Sequence, residues 1–373
     1  MSLILLGHPD TERTEYFLKA AHDLKESVTL IPLPSFRDSV DSRCDHRPVT
    51  ETAKSENPYT PERQPYKLTF DFSRLKNQTV KIDPPPPASY PIDDLNTVMT
   101  CYHNFLREIQ RVPGIKLLNS SDALWNTLDK FICKQRLQKG GLPTTPALAD
   151  SDGSPAHITS LGQLRQAMDT KRIRQVFIKP RLGSGAAGVV AYRFNPITGA
   201  ETMETSSVFS RDRLHNTNRL RKTGNPDDIA ATVNRVLALD AIVEEWIPKS
   251  SFHGKAFDLR IVYQFGCLEF IVARQSAGAI TNLHLNDNAL AVTELALSPA
   301  LLSEIEILCF QAVALFPGLN AAGLDILLHK QNNPNANTLA PMIIEINGQG
   351  DLIYQDIFAE NRIYKSQIRR LTG

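Results

Sequence analysis

Three stretches of the chain carry residues arranged for phosphate and metal chemistry. Val176-Phe177-Ile178-Lys179-Pro180 reads as an apolar strand ending in a lysine, and Arg181-Leu182-Gly183-Ser184-Gly185-Ala186-Ala187-Gly188-Val189 follows as a loop of small residues. Small side chains let backbone N–H groups approach polyphosphate oxygens, and a lysine at the strand end brings a cation to the same charge. A flexible hairpin with a surface lysine is the competing reading, and the loop lacks the Gly-Lys-Ser/Thr ending of a Walker A motif. Farther along, Ala321 to Leu328 and Pro341 to Gly348 read as buried strands that carry Asp325 and Glu345. Alternation puts Glu345 and Asn347 on one face of their strand, with Ile344 and Ile346 on the other. With Asp325 as a third donor, this is the hard oxygen set that magnesium takes, with phosphate oxygens and water completing the octahedron. One such carboxylate would pass as a buried ion-pair partner, but three polar groups in apolar strands cost too much desolvation to stand idle.

Between these stretches, Ile242-Val243-Glu244-Glu245-Trp246-Ile247-Pro248 and Lys255-Ala256-Phe257-Asp258-Leu259-Arg260-Ile261-Val262-Tyr263 each set charge at the edge of a strand, and Arg274 in Phe270 to Arg274 repeats the pattern. Lys179, Arg260 and Arg274 would then surround a transferring phosphoryl group and spread its charge. Taken singly, each arginine also has the character of a surface or salt-bridge residue. His253 and His284 read as hydrogen-bonded structural histidines before acid–base groups. Arg211, Arg213, Arg219, Arg221 and Lys222 offer either a grip on an acidic partner or the solvated loop of a small lid.

The elements that must position these residues are α/β throughout. Leu3 to Leu6 reads as a strand ending at Gly7, a helix with Tyr16, Phe17, Ala20, Ala21 and Leu24 follows a cap at Asp10 or Thr11, and Val28 to Ile31 reads as a second strand. That order opens a parallel α/β layer, although Gly7 alone is no dinucleotide fingerprint. Residues 37–65 are polar and rich in Pro, Ser and Thr, a surface excursion or mobile insertion. Leu68 to Phe72 and Thr79 to Ile82 are candidate strands, and Pro84 to Pro87 forms a stiff connector or a rim of the substrate cleft. Leu95 to Ile109 has helical spacing, and Ile115 to Leu118 reads as a buried strand. One helix carrying Leu124, Leu128, Phe131 and Ile132 is expected to run to Gly140-Gly141.

With 373 residues the chain calls for two or three domains, and 42% hydrophobic with 22% charged residues is an ordinary globular mix. Lys plus Arg number 41 against 40 Asp plus Glu, so the net charge of +1 gives no reason to expect a nucleic-acid or membrane partner. Five scattered cysteines indicate neither a zinc site nor a disulfide framework. The amino-terminal stretch has no basic segment, and no apolar run approaches the roughly 18 residues of a membrane span, so a cytoplasmic protein is expected.

The order of these pieces resembles ATP-grasp enzymes: Asp129-Lys130 opening a helix that leads to Gly141-Leu142-Pro143, the Lys179 strand with its glycine loop, the Glu244 to Pro248 hinge, Asp258-Leu259-Arg260, Asp325, and Glu345-Ile346-Asn347. These motifs cover about the last two-thirds of the chain, and the preceding strand–helix units look like a pre-ATP-grasp domain. Asn282-Leu283-His284 and the Glu-Ile-Asn ending are most similar to RimK-like amino-acid ligases. The resemblance implies a parallel α/β domain over 1–118, a lid or central domain over 119–245 and a metal-binding carboxy-terminal domain over 246–373. It implies that Lys130 and Lys179 bind ATP phosphates, that Gly183, Ser184, Gly185, Ala186 and Gly188 fold over them, and that backbone at Glu245 and Ile247 reads adenine, with Glu244 and Trp246 of the same hinge also binding the cofactor. Asp325, Glu345 and Asn347 then match the ligands of one or two magnesium ions, with manganese as the alternative. The resemblance also implies that Arg260 and Arg274 are the catalytic pair near the γ-phosphate, with Asn282 nearby on the nucleotide.

The activity implied by the resemblance is that of an ATP- and magnesium-dependent carboxylate–amine ligase acting on small-molecule or peptide substrates. Its alternatives are a kinase-type phosphotransferase and a nucleotide-binding regulatory protein without turnover. The chain departs from the RimK-like pattern at Ala279-Ile280-Thr281, where an arginine is usual, and at Lys249-Ser250-Ser251, where an acid often holds ribose. The first departure bears on an acidic peptide substrate; the second leaves ribose to Glu244 or to another residue. Gly348-Gln349-Gly350-Asp351-Leu352 replaces the usual proline-containing ending and is expected to shape the acceptor site.

Overall fold

The structure is a computed structural model that describes residues 3–37, 70–85, 90–149, 156–281, 288–330, 339–349 and 361–373. Among them are three sheets and eight α-helices. The first sheet is parallel, in the order β2-β1-β3-β4, and is built from β1 (Leu3–Gly7), β2 (Val28–Pro32), β3 (Thr79–Ile82) and β4 (Lys116–Leu117). Helix α1 (Glu12–Leu24) follows β1, capped by Thr11, whose side chain accepts from the N–H of Thr14. Helix α2 (Leu95–Gln110) lays Val98, Met99, Tyr102, Phe105, Leu106 and Ile109 into the core with Leu6, Val80 and Ile82 of the strands. The strand expected at 68–72 is replaced, over the described residues, by a 3-10 turn at Phe72–Leu75 capped by Asp71. Phe70 and Phe72 pack on Phe105, so aromatic burial decides the local shape.

The single helix expected up to Gly140 is two helices, α3 (Ser121–Leu128) and α4 (Lys130–Lys139), broken at Asp129. Asp129 Oδ1 accepts from the N–H groups of Phe131 (3.0 Å) and Ile132 (3.1 Å), so an acid at the break starts a new helix instead of continuing the old one. Such a cap contributes about 1 kcal/mol. Phe131 and Ile132, expected to be core, are only partly buried.

Helix α5 (Leu161–Thr170) leads into an antiparallel sheet of order β8-β7-β6-β5-β9, formed by β5 (Gln175–Pro180), β6 (Val190–Phe194), β7 (Glu201–Ser210), β8 (Arg213–Thr223) and β9 (Ala241–Glu245), with α6 (Pro226–Leu237) packed on it. The third sheet is also antiparallel, in the order β13-β12-β11-β14-β15. It comprises β10 (Ser251–Phe252, paired only with β11), β11 (Lys255–Gln264), β12 (Cys267–Ser276), β13 (Asn288–Ala291), β14 (Ala321–Lys330) and β15 (Leu339–Asn347). Helix α7 (Pro299–Ala314) buries Ile305, Leu308, Cys309 and Ala312 against Leu259, Ile261, Leu324, Ile326 and Ile346. Each fully buried aliphatic side chain of that set is worth about 1.5–3 kcal/mol.

Two features tie the ends of the chain together. Helix α8 (Arg362–Thr372) returns to α1, where Ile363, Tyr364 and Ile368 share a core with Leu3, Leu5, Phe17 and Val272. Asn119 is buried at the end of β4 and spans to the third sheet: its amide donates to the carbonyls of Ala321 (2.7 Å) and Gly348 (2.5 Å), and its oxygen accepts from the N–H groups of Asn320 and Ala321. No helix of the described residues is long and apolar enough to cross a membrane.

Candidate active site

The second and third sheets face each other across a cleft whose empty space, including its open mouth, is about 870 Å³. One wall is made by β5, β9 and the loop after β5, the other by β11, β12, β14 and β15. On β11 alternation sends Phe257, Leu259 and Ile261 to the α7 core and Asp258 and Arg260 to the cleft. On β14, Leu324 and Ile326 go to the core while Asp325 and Leu327 line the cleft. Asp325 is the cross-strand partner of both Arg260 and Glu345, so three charged side chains lie in one row. Arg260 lies over Gly323, where a Cβ would stand 2.7 Å from Arg260 Nη1, so a side chain there would displace the guanidinium.

The expected alternation on β15 is corrected by a bulge. Pairing shifts between Asp325 and Ile326, so Ile343 and Ile346 both reach the core while Ile344 and Glu345 both line the cleft. Ile344 therefore sits on the site side, not opposite Glu345. Asn347 Nδ2 donates to Glu345 Oε1 (3.1 Å), and Asn347 lines a smaller adjoining cavity that shares Lys130, Gly183, Ser184 and Glu345 with the cleft.

At the other wall, the break at Asp129 sets Lys130 at the start of α4. Arg181 Nε donates to Asp129 Oδ2 (2.9 Å), the N–H of Lys130 donates to the carbonyl of Arg181 (3.0 Å), and Lys130 Nζ donates to the carbonyl of Gly183 (2.6 Å). The loop itself takes left-handed backbone at Gly183 (φ 106°), Gly185 (67°), Ala186 (61°) and Gly188 (72°). It rests on the first layer: a Cβ on Gly183 would meet Leu95 Cδ1 at 3.0 Å, and one on Gly188 would meet Pro180 Cγ at 2.7 Å and Ile92 Cγ2 at 3.2 Å.

Lys179 is buried and donates to Glu244 Oε2 (2.7 Å), which also accepts from Thr145 Oγ1 (3.1 Å). Lys134, one helical turn beyond Lys130, pairs with Glu244 Oε1 at 2.7 Å. Both Glu244 oxygens are thus engaged by cations, so its carboxylate anchors Lys179 and is not turned toward a ribose. Burial pushes Glu244 up, but Lys134 and Lys179 outweigh it and hold the carboxyl at about 2. Lys130 goes the other way: burial lowers its ammonium against the pull of Glu345.

In the hinge, Glu244, Glu245 and Ile247 line the cleft. Trp246 does not. Its indole packs against Phe177 and under the Arg193 guanidinium, and its N–H and carbonyl are bonded by Gln175. Asn282 and His284 lie outside the described residues, as do Gly350 to Leu352, residues 38–65 and the second half of the proline run. His253 forms the tight β10–β11 turn with Gly254, at φ 49° and 76°, a structural position. Of the basic stretch, Arg213 is paired with Asp93 and Asp94, and Arg221 with Asp228.

Sequence reasoning missed Lys134, Thr145, Lys249 and Thr281. Lys134 was detectable as the second lysine at helical spacing from Lys130. Lys249, at the place where an acid often holds ribose, turns inward to Asp258 Oδ2 (2.8 Å) and to Thr281. Arg274 Nε donates to Asp258 Oδ1 (2.8 Å). Burial raises Asp258, but Arg274 and Lys249 outweigh it and hold it well below the usual carboxylate range.

Asp325, Glu345 and Asn347 fit a hard divalent cation. Arg260 Nε and Arg274 Nη2 each come within 3.1 Å of Asp325 Oδ1, yet neither is aligned to donate, and that buried oxygen has no hydrogen bond. Burial pushes Asp325 up to about 6, and the neighbouring Glu345 adds to the rise against Arg260 and Arg274. A buried carboxylate beside a second one, with an unbonded oxygen, wants more positive charge than the two arginines provide. The described residues hold no group of three or more His, Cys, Asp or Glu placed to bind a metal, so phosphate and water oxygens would have to complete the shell. Among the described residues five cations and five carboxylates line the cleft, so these hold no surplus positive charge for a triphosphate; a divalent cation would bring it.

No protein-family model and no curated protein matches the chain. Solved structures do. It is similar to the macrocyclase MdnC bound with precursor peptide MdnA, from Microcystis aeruginosa MRC, at a TM-score of 0.54 and 13% identity over 100% of this chain and 98% of that one. It is similar to the ATP-grasp ligase PsnB complexed with minimal precursor, at 0.52 and 12% identity over 99% of each chain. PsnB complexed with precursor peptide PsnA2 and AMPPNP gives 0.50 and 13% over 99% and 97%. At such identities the likeness is one of fold, and the fold of this chain is that of the ATP-grasp ligases.

Proposed function

We propose that the chain is an ATP- and magnesium-dependent carbon–nitrogen ligase that joins a carboxylate to an amine through an acyl phosphate. The observation that carries this reading is the pairing across one cleft of a lysine-flanked glycine loop with a row of Arg260, Asp325 and Glu345. On this reading residues 119–245 supply the lid, and 246–373 the metal-binding part, although α3, α4 and α8 pack across those limits. ATP lies with its adenine at Glu245 and Ile247 and its phosphates under residues 183–188. Arg274 and Arg260 meet the γ-phosphate, and the donor carboxylate approaches through the cavity of Thr127, Asn347 and Gln349.

The donor oxygen attacks the γ-phosphorus, the bond to the β-phosphate oxygen breaks, and ADP leaves. The amine nitrogen then attacks the acyl carbon, the bond to the phosphate oxygen breaks, and the amine proton passes to phosphate or water. No side chain forms a covalent bond; Lys130, Lys179, Arg260 and Arg274 hold the reacting groups in line and spread their charge. Bound at Asp325, Glu345 and Asn347, magnesium would neutralise the transferring phosphoryl oxygens. Loss of one such charge contact costs about a hundredfold to a thousandfold in rate.

The precursor peptides bound by MdnC and PsnB support a peptide as one substrate. The RimK-like affiliation rests on Asn282-Leu283-His284 and Glu345-Ile346-Asn347. The test is to give the protein MgATP and peptides whose carboxylates carry a heavy-oxygen label. A ligase moves one labelled oxygen into free phosphate and yields a condensed product. A stable phosphorylated product instead establishes a kinase, and ATP binding without turnover establishes a regulatory protein.

A further inference from the structure

We propose that Asp258 is a positioning residue that sets Arg274 for the γ-phosphate and couples it to the hinge. The inference rests on the ATP-binding reading above. Asp258 is 1% exposed, and its carboxylate accepts hydrogen bonds from three separate segments. Oδ1 takes Arg274 Nε from the neighbouring strand β12 (2.8 Å), while Oδ2 takes Lys249 Nζ (2.8 Å), the residue just past the Glu244–Pro248 hinge, and Thr281 Oγ1, the residue before Asn282. Its own strand adds Arg260, two residues on, whose guanidinium turns to Asp325.

Holding Arg274 by Nε leaves the far edge of its guanidinium pointing along the row toward Asp325. There Nη2 stops 3.1 Å from Asp325 Oδ1 without a hydrogen bond. That edge is oriented and ion-paired with Asp325 but makes no hydrogen bond to Oδ1, which leaves it able to turn to an incoming phosphoryl oxygen. Lys249 and Thr281 fix the Asp258 carboxylate from the opposite side, so a shift in either the hinge or the 281 segment moves the oxygen that aims Arg274. Features elsewhere carry less: the Asp93 contacts with Arg213 and Arg235 tie β8 and α6 to the start of α2 but reach no reacting atom, and Ile307 and Phe310 on α7 form an exposed apolar face with nothing to name its occupant.

A structural role and a positioning role differ in what they do to ATP relative to ADP. Loosening of the cleft weakens both nucleotides alike, whereas misaiming Arg274 removes a contact that only the γ-phosphate makes. The experiment is equilibrium binding of MgATP and MgADP by calorimetry to the full chain, to Asp258→Asn, to Arg274→Gln and to the double variant. Asp258→Asn is expected to cut the ATP-over-ADP preference about tenfold, as loss of one charge-assisted contact would. The double variant is expected to lose no more than Arg274→Gln alone, because the two act as one unit. Lys249→Met supplies the same test from the cleft edge should Asp258→Asn fold poorly, with an expected loss in the same ratio of about threefold. An unchanged ratio in both Asp258→Asn and Lys249→Met, or independent additive losses in the double variant, overturns the proposal. A wild-type chain that binds neither nucleotide defeats the ATP reading itself, and the inference with it.

Discussion

Replacing Glu244 with glutamine keeps the shape of the side chain and removes its charge, leaving Lys134 and Lys179 buried around a neutral amide. One of the two oxygens that now take ammonium groups at 2.7 Å becomes an NH2, which faces a donor with a donor. Removing one partner from a buried ion pair costs about 3–5 kcal/mol. The depressed acidity of the carboxyl leads to a similar figure. Glu244 is held at about 2 against an ordinary 4.5, and that depression corresponds to about 3 kcal/mol of stability at neutral pH. Because the folded value is the lower one, this contribution is full above the unfolded value and is lost as pH falls toward about 2. Urea unfolding followed by tryptophan fluorescence is the assay, since Trp246 lies at the end of the sheet that carries Glu244. Glu244→Gln is expected to lose about 3 kcal/mol at pH 7 and about half of that at pH 3. A deficit equal at both pH values, or none at pH 7, refutes the reasoning.

Lys130→Met should weaken MgATP binding about tenfold to a hundredfold by calorimetry, the value of one charged hydrogen bond, and an unchanged affinity removes Lys130 from the phosphate site. Gly188→Ala puts a methyl 2.7 Å from Pro180 Cγ at φ 72°. It should lower thermal stability by about 1–3 kcal/mol and loosen the loop, so a wild-type melting curve contradicts the packing described. Asp93→Asn weakens contacts to Arg213 and Arg235, which are 41% and 44% exposed, and should cost less than about 1 kcal/mol globally. Limited proteolysis should nonetheless cut the 201–223 hairpin faster than in the wild type; equal rates mean that these pairs do not hold the hairpin in place.

Much of this architecture was legible because period and chemistry agree along the chain. The first strand, helix and strand carry their apolar residues at the spacings they use, and Lys179, Arg260, Asp325 and Glu345 stand at positions that alternation sends to one face. What escaped depends on contacts distant in sequence or on single-residue irregularities. Asp129 interrupts an unbroken apolar period because its carboxylate finds two N–H groups and Arg181, 52 residues away. The bulge opposite Asp325 moved Ile344 into the cleft, and no local pattern marks it. Trp246 turned from the cleft because Phe177 and Arg193 offer its ring a better surface. Lys249 went to Asp258 instead of outward, since a buried carboxylate with Arg274 on one oxygen and only the Thr281 hydroxyl on the other draws a second cation.

The most direct measurement is magnesium-dependent ADP release by the wild type and by Glu345→Ala, across pairs of peptide or amino-acid carboxylates and amines, with mass spectrometry of the products. The ligase account expects particular pairs to raise ADP release in the wild type alone, each with a product lighter than its two substrates by one water. ATP binding with no pair changing turnover, and Glu345→Ala indistinguishable from wild type, would contradict it.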